Sequence, residues 1–332
     1  MNCLIVGGAG FIGAYVVQAL LRDGHQVVVF DADASKNTIH KIFSESELAG
    51  IETYTGDVTD LAQLIRIIRE KNIDSIVHLA AWQIPASHNN PSKAILVNGL
   101  GFNNALEAVA SLGLRRLVWT SSNAVFGSPK SHHVQPIPND EYHRPNTVYG
   151  ALKSLNEYMA VHYFNHRGVD SIGLRFCLVY GYGRMRGAST FASEMIEKAA
   201  LGLPCVVDSG DSRVDWYYVV DAAQLILKAL EVPCTPTRVY NTFSNLYTVR
   251  EAADFLSNNL PDAQLTVKPG AIDANWNLDA GQLEAEIGFT PRYSLEDGLR
   301  DTVARVRKTA SLPELPGFSE IDAYPVAVSQ SA

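Results

Sequence analysis

The sequence predicts an α/β fold in which a doubly wound parallel sheet, covered by helices on both faces, carries a smaller C-terminal α/β lobe. Three observations lead there. Short β-branched runs alternate with longer helical stretches through the first half of the chain, the pattern of repeated strand–helix–strand units. A glycine-rich turn follows the first of these runs at once. Beyond Arg175 the alternation degrades into loops and shorter elements.

The first strand is expected at residues 2–6. It opens a stretch, Leu4 to Leu21, apolar enough to imitate a signal peptide or a membrane anchor. No positive residue precedes that stretch and four glycines interrupt it. A buried strand, a glycine turn and a buried helix over 11–23 fit better, and no transmembrane or export segment is expected. Strands follow at 26–31, 52–55, 75–79, 116–121 and 170–175, with helices at 61–71, 91–112 and 148–167 between them. After Arg175 come a helix at 189–201, short strands at 204–207 and 238–243, and helices at 249–258 and 295–308. Residues 1–174 and 214–246 are expected to form a nucleotide-binding domain, and 175–213 with 247–310 a substrate lobe. Residues 311–332, with Pro313, Pro316 and Pro325, read as an irregular surface tail.

The 332 residues are 47% apolar and 19% charged, which suits a sizeable core. Net charge is −8 and the Lys and Arg residues form no basic run, so the footprint for nucleic acid is missing and a small-molecule partner is expected. Cys3, Cys177, Cys205 and Cys234 lie far apart, with no CxxC pair and no Cys/His cluster at zinc spacing. No metal is expected, and reduced thiols point to a cytoplasmic protein.

In such a sheet ligands bind beyond the carboxyl ends of the strands. After the first strand comes Gly7-Gly8-Ala9-Gly10-Phe11-Ile12-Gly13, opening a helix. Gly7 permits a tight turn, Gly10 lets the backbone approach a pyrophosphate facing the helix N-terminus, and Gly13 lets helix and strand touch. Asp31 ends the second strand about 20 residues on, where a carboxylate accepts hydrogen bonds from an adenosine ribose. That carboxylate would repel a 2′-phosphate, and Lys36 is the only cation close behind it, so NAD is expected over NADP. Asp57 and Val58 follow the third strand and are candidates for adenine; Leu79, Ala80 and Ala81 end and follow the fourth and leave room for the cofactor.

Tyr149 and Lys153 stand four apart on an expected helix, which puts both on one face. Lowering a phenol pKa from ~10 to ~7 takes about 4 kcal/mol, and a lysine charge about 4 Å away supplies that at an effective dielectric near 20. Ser121 and Ser122 follow the fifth strand at the same sheet edge, and Ser122 is the better candidate to orient a substrate oxygen. For Asn98 two readings stand: it holds local backbone or a water near Lys153, or it is a plain helix residue.

With these residues in place the chain resembles the extended short-chain dehydrogenase/reductase family, also called the NAD-dependent epimerase/dehydratase family. The glycine turn, His78-Leu79-Ala80-Ala81, Asn98, Ser121 to Gly127, Tyr149 to Lys153, Leu174-Arg175 and Arg213 through Asp221 carry the resemblance. It implies a Rossmann domain binding NAD, catalytic Ser122, Tyr149 and Lys153, and a homodimer built from the helices around 98–112 and 149–167. Two positions depart. Leu178 stands where sugar-nucleotide members usually have a diphosphate-contacting asparagine, and an apolar side chain cannot make that bond. Phe126 replaces a common tyrosine.

The leading expectation is a dehydrogenase or reductase acting on a small, polar, sugar-like or acidic substrate, with a sugar-nucleotide 4-epimerase as the alternative. Gln83, Ser122, Asn123, Tyr180, Arg184 and Arg213 are the candidate substrate contacts. Arg186 joins Arg184 and Arg213 as an arginine suited to a carboxylate or phosphate, although Arg184 and Arg186 read equally well as solvated loop charges. His132, His133 and His143 read as surface residues.

Overall fold

The computed structural model describes residues 1–34, 37–273 and 276–321. The chain runs β1 (Asn2–Val6), α1 (Phe11–Arg22), β2 (Gln26–Asp31), single turns α2 (Ile39–Ile42) and α3 (Glu45–Leu48), β3 (Glu52–Thr55), α4 (Leu61–Glu70) and β4 (Ser75–His78). There follow α5 (Ala86–Asn89), α6 (Pro91–Ala94), a π-helical turn Ile95–Leu100, α7 (Gly101–Leu112), β5 (Arg116–Ser122), α8 (Val148–Arg167), β6 (Ser171–Phe176) and β7 (Leu178–Tyr180). The remainder is α9 (Thr190–Ala200), β8 (Pro204–Val207), β9 (Arg213–Tyr218), α10 (Val219–Glu231), β10 (Val239–Asn241), β11 (Leu246–Thr248), α11 (Val249–Asn259), β12 (Gln264–Val267), α12 (Gly281–Ile287) and α13 (Leu295–Thr309).

Seven strands form one sheet in the order β10-β6-β5-β4-β1-β2-β3, every pair parallel. The β-branched runs of the central strands are buried because helices cover both faces: α1 packs against α10 on one side, and on the other α4 packs against α7 and α7 against α8. The order reverses at β1, which opens a crevice between the carboxyl ends of β1 and β4. Two small sheets, β11-β9-β7 and β12-β8, stand beside it.

Several expectations need correction. Residues 214–218, expected to return to the main domain, pair within the small sheet as part of β9; the return is made by α10. The helix expected over 91–112 is interrupted by the π turn that contains Asn98. Among the described residues, the tail from Leu312 to Ile321 has no regular element but is not simply a surface segment. Phe318 is buried, Arg300 donates to the Gly317 carbonyl at 2.8 Å, and the Ile321 N–H donates to Asp301 at 2.6 Å. Pro325, like Lys36, lies outside the described residues. Among the described residues no helix is long and apolar enough to cross a membrane.

Candidate active site

The glycine turn is shaped by contact as well as by conformation. Gly7 has φ +84°, and a Cβ there would sit 2.6 Å from the Ala80 nitrogen, so only glycine lets the β1 turn lie against the end of β4. A Cβ on Gly13 would sit 2.4 Å from the Gly7 carbonyl oxygen. With Gly10 as N-cap, no side chain caps α1 and no acidic residue occupies its first turn. Its N–H groups therefore face the crevice as an anion site, and this cradle fits a dinucleotide pyrophosphate.

Asp31 is anchored beside the turn: its carboxylate accepts the Ala9 and Asp33 N–H groups, each at 3.1 Å. Burial pushes its pKa up, while those N–H groups and the charge of Arg186 hold it down. Arg186 arrives from a distant loop, so the expectation that Lys36 was the only cation near Asp31 is corrected. Asp57 sits further out, its carboxylate engaged by Thr59 at 2.9 Å and Lys93 at 3.2 Å. Val58 is buried in the core, where its Cγ2 would meet a Cβ on Gly101 at 2.4 Å. Asn98, buried in the π turn, accepts from the Trp82 N–H at 2.6 Å and donates to the Trp82 carbonyl at 3.1 Å. It thus clamps the loop that follows Leu79, Ala80 and Ala81, in line with the reading that Asn98 holds local backbone.

The catalytic candidates meet where β5 ends and α8 begins. β5 extends one residue further than expected and ends in Ser122, whose hydroxyl accepts the Ala124 N–H at 3.2 Å and donates to Asn123 at 3.1 Å. Thr147 caps α8 by accepting the Gly150 N–H at 3.0 Å, and a Cβ on Gly150 would sit 2.3 Å from the Ala124 carbonyl. That close approach brings Tyr149 within hydrogen-bonding reach of Ser122. Lys153 lies on the same face, with Nζ 5.6 Å from the Tyr149 ring centre and donating to the Thr120 carbonyl at 2.5 Å.

The electrostatics differ from the sequence expectation. Burial pushes the half-buried Tyr149 phenol up to about 12, and the forces opposing it are the Ser122 hydrogen bond and the charge of Arg184. Lys153 is not the cation acting on the phenol here; burial lowers its own pKa to about 8, against the charge of Glu157.

Glu157 escaped the sequence reading, although it continues the Tyr149, Lys153 spacing by one more turn. It is buried and accepts from Ser121 at 2.5 Å and from Arg175 at 2.9 and 2.7 Å, while His143 stands 3.1 Å away. His143 is therefore part of an internal network, and His132 is buried with Nε2 2.7 Å from the Phe126 carbonyl; neither is a free surface residue.

The substrate candidates separate. Asn123 lies at the Ser122 turn, and Gln83 is exposed beyond β4. Tyr180 is fully buried and donates to the Leu295 carbonyl at 3.2 Å, so no part of it is open to a ligand. Arg213 donates to the Leu246 carbonyl at 3.0 Å from the exposed start of β9. Arg184 lies over the Phe11 ring, 5.7 Å from its centre, on the cofactor side of the site. Leu178 is buried, and beside it the Cys177 thiol borders Asp215, whose pKa burial pushes up to about 7. Open cavities of about 430 Å³ beside Tyr217 and Arg292 and about 290 Å³ beside Phe191 and Cys205 involve neither Ser122, Tyr149 nor Lys153; reactive chemistry, not size, locates this site.

A Rossmann-type sheet with an anion cradle at its crevice and a Ser/Tyr/Lys cluster alongside defines a class, the dinucleotide-dependent short-chain dehydrogenases and reductases. Residues 3–242 match the model of the NAD dependent epimerase/dehydratase family, and the chain belongs to that family. It is 27% identical to the UDP-glucose 4-epimerase of Lacticaseibacillus casei, over 91% of this chain and 95% of that protein. The UDP-glucose 4-epimerase of Thermus thermophilus in complex with NAD superposes with TM-score 0.79 at 26% identity, covering 92% of this chain and 99% of that one. The L-threonine dehydrogenase of Phytophthora infestans, at 24% identity and TM-score 0.78 over 92% of this chain and 99% of that one, shares the fold. The cofactor is NAD.

Proposed function

We propose that the protein is an NAD-dependent oxidoreductase acting on a secondary alcohol or ketone of a small polar, sugar-like or acidic substrate, with Tyr149 as general acid/base. The observation that carries this is the convergence of Ser122, Tyr149 and Lys153 at one sheet edge beside the glycine turn. Bound NAD supplies the hydride chemistry. Ser122 orients the substrate oxygen, and Tyr149, protonated at neutral pH, delivers its proton to that oxygen in reduction. In oxidation the phenol must lose that proton first. The Ser122 hydrogen bond and the charge of Arg184 favour that loss against burial.

The buried Leu178 and the neighbouring thiol support a substrate without a nucleotide diphosphate, since this wall presents no strong donor to one. A second reading, a nucleotide-sugar 4-epimerase retaining NAD, is favoured by the full-length similarity to UDP-glucose 4-epimerases. A thermal-shift screen with reduced cofactor present separates them: sugars or sugar acids should stabilise the protein, and stabilisation by UDP-sugars alone would overturn the first reading.

We further propose a cytoplasmic homodimer. The support is a row of exposed apolar side chains, Ile95, Leu96 and Leu100 on the π turn and Leu155, Tyr158 and Val161 on α8. Residues 1–174 with 219–246 would serve the dinucleotide and 175–218 with 247–310 the substrate.

A further inference from the structure

We propose that Arg184 is a cofactor residue whose guanidinium closes the diphosphate site from the side opposite the N-terminus of α1. Two independent features meet there. The first turn of α1 has no capping side chain. Over Phe11, the first residue of that helix, lies the Arg184 guanidinium, 5.7 Å from the ring centre. One terminal nitrogen donates to the Val179 carbonyl and the other to the Ser189 hydroxyl at 2.9 Å, whereas Nε is buried with no hydrogen-bond partner among the described residues. A buried guanidinium N–H without an acceptor is a group that an anion would satisfy.

The loop carrying Arg184 is built to cross this crevice. Gly181, Gly183 and Gly187 all have positive φ, and the loop is tied to the α1 side where Tyr15 donates to the Tyr182 carbonyl at 3.0 Å and Thr38 to the Gly183 carbonyl at 2.7 Å. Its far end passes Gln83: a Cβ on Gly187 would lie 2.4 Å from the Gln83 side-chain amide oxygen Oε1 and 3.0 Å from an Arg184 nitrogen. The strap thus holds a fixed cation between the helix N-terminus and Tyr149, where the diphosphate of a dinucleotide joins its two halves. This reassigns Arg184 from the substrate to the cofactor. It rests on NAD as the cofactor and stands apart from the choice between dehydrogenase and epimerase.

The test is calorimetry of NAD and ADP-ribose on cofactor-stripped wild type, Arg184→Met and Arg184→Lys, each checked for an unchanged thermal transition. ADP-ribose keeps the diphosphate and lacks the nicotinamide. Arg184→Met should weaken both ligands equally, by about 10- to 100-fold, and flatten the fall in affinity with rising ionic strength. Arg184→Lys should restore part of the affinity and that salt dependence. Affinities within twofold of wild type for both ligands, with a raised KM for substrate, would overturn the proposal and return Arg184 to the substrate. Loss with NAD alone would also overturn it, by moving the contact to the nicotinamide half. Failure of wild type to bind either ligand would instead count against the cofactor assignment on which the proposal rests.

Discussion

Glu157 stands one helical turn beyond Lys153 and is the charge that opposes the loss of the lysine proton to burial. Its carboxylate is held in turn by Arg175 on β6 and Ser121 on β5. A buried ion pair that also reaches the site therefore links the sheet to α8.

Glu157→Gln should lower the Lys153 pKa below about 8, because the opposing charge is gone and burial remains. It should also cost about 3–5 kcal/mol of stability by leaving Arg175 buried without its carboxylate. Denaturant unfolding gives the second effect; the first appears as an acid shift in the alkaline limb of the pH–rate profile. A stability loss with an unmoved profile would limit Glu157 to a structural role.

The two directions of reaction should differ in pH dependence. Tyr149 stays protonated to about 12 without cofactor, so ketone reduction should be flat through neutral pH and fall above about 8, where Lys153 loses its charge. Alcohol oxidation needs the phenolate and should rise with pH, its rise displaced to lower pH by the positive ring of the oxidised cofactor. Initial rates in both directions check this. Oxidation independent of pH below 8 would show that Tyr149 is not the group losing the proton.

Asp215 makes stability depend on pH in a defined sense. Its folded pKa, about 7, lies above the ordinary carboxylate value of 3.8, so the native state binds the extra proton. The associated stability is complete below the unfolded pKa and is lost as pH rises through about 7. Asp215→Asn, which keeps an acceptor for the Ser244 and Asn245 N–H groups, should remove that loss. Relative to wild type it should gain about 3 kcal/mol between pH 5 and pH 8. Parallel wild-type and variant melting profiles across that range would contradict the assignment.

The sheet was legible because buried parallel strands leave β-branched runs that nothing else in the chain imitates, and the glycine turn marked its crevice. The short strands β7, β9, β11 and β12 were not legible as strands: with three to six residues each, they are fixed by pairing with distant segments. The grouping of Tyr149, Lys153 and Ser122 was readable from helical spacing and from position after a strand. Arg186 near Asp31 and Arg184 over Phe11 were not, because a loop more than 150 residues away in sequence delivers both. Tyr180 was misread for a related reason: it reads as part of the glycine-rich loop after Arg175, but it closes β7 and its hydroxyl is held at the start of α13.

Cofactor choice follows from the Asp31 surroundings. NAD should be used in preference to NADP, because a 2′-phosphate would meet a half-buried carboxylate. Arg186 moderates that repulsion, so Arg186→Ala should widen the preference by about tenfold, a change worth about 1.4 kcal/mol, and Asp31→Ala should narrow it. Ratios of kcat/KM for the two cofactors check both; equal use of NAD and NADP by wild type would contradict the ribose role of Asp31.

The most direct measurement is the reduced-nicotinamide absorbance of NAD-loaded wild type and Tyr149→Phe mixed with a panel of sugars, sugar acids and UDP-sugars. The expected result is net, substrate-dependent formation of reduced cofactor by wild type with a compound lacking a nucleotide. Tyr149→Phe should show a rate at least about 100-fold lower while binding NAD within about twofold of wild type. Conversion of a UDP-sugar to its 4-epimer without net absorbance change would contradict the dehydrogenase reading, and a Tyr149→Phe variant keeping more than a tenth of the wild-type rate would contradict the proton-transfer role at its centre.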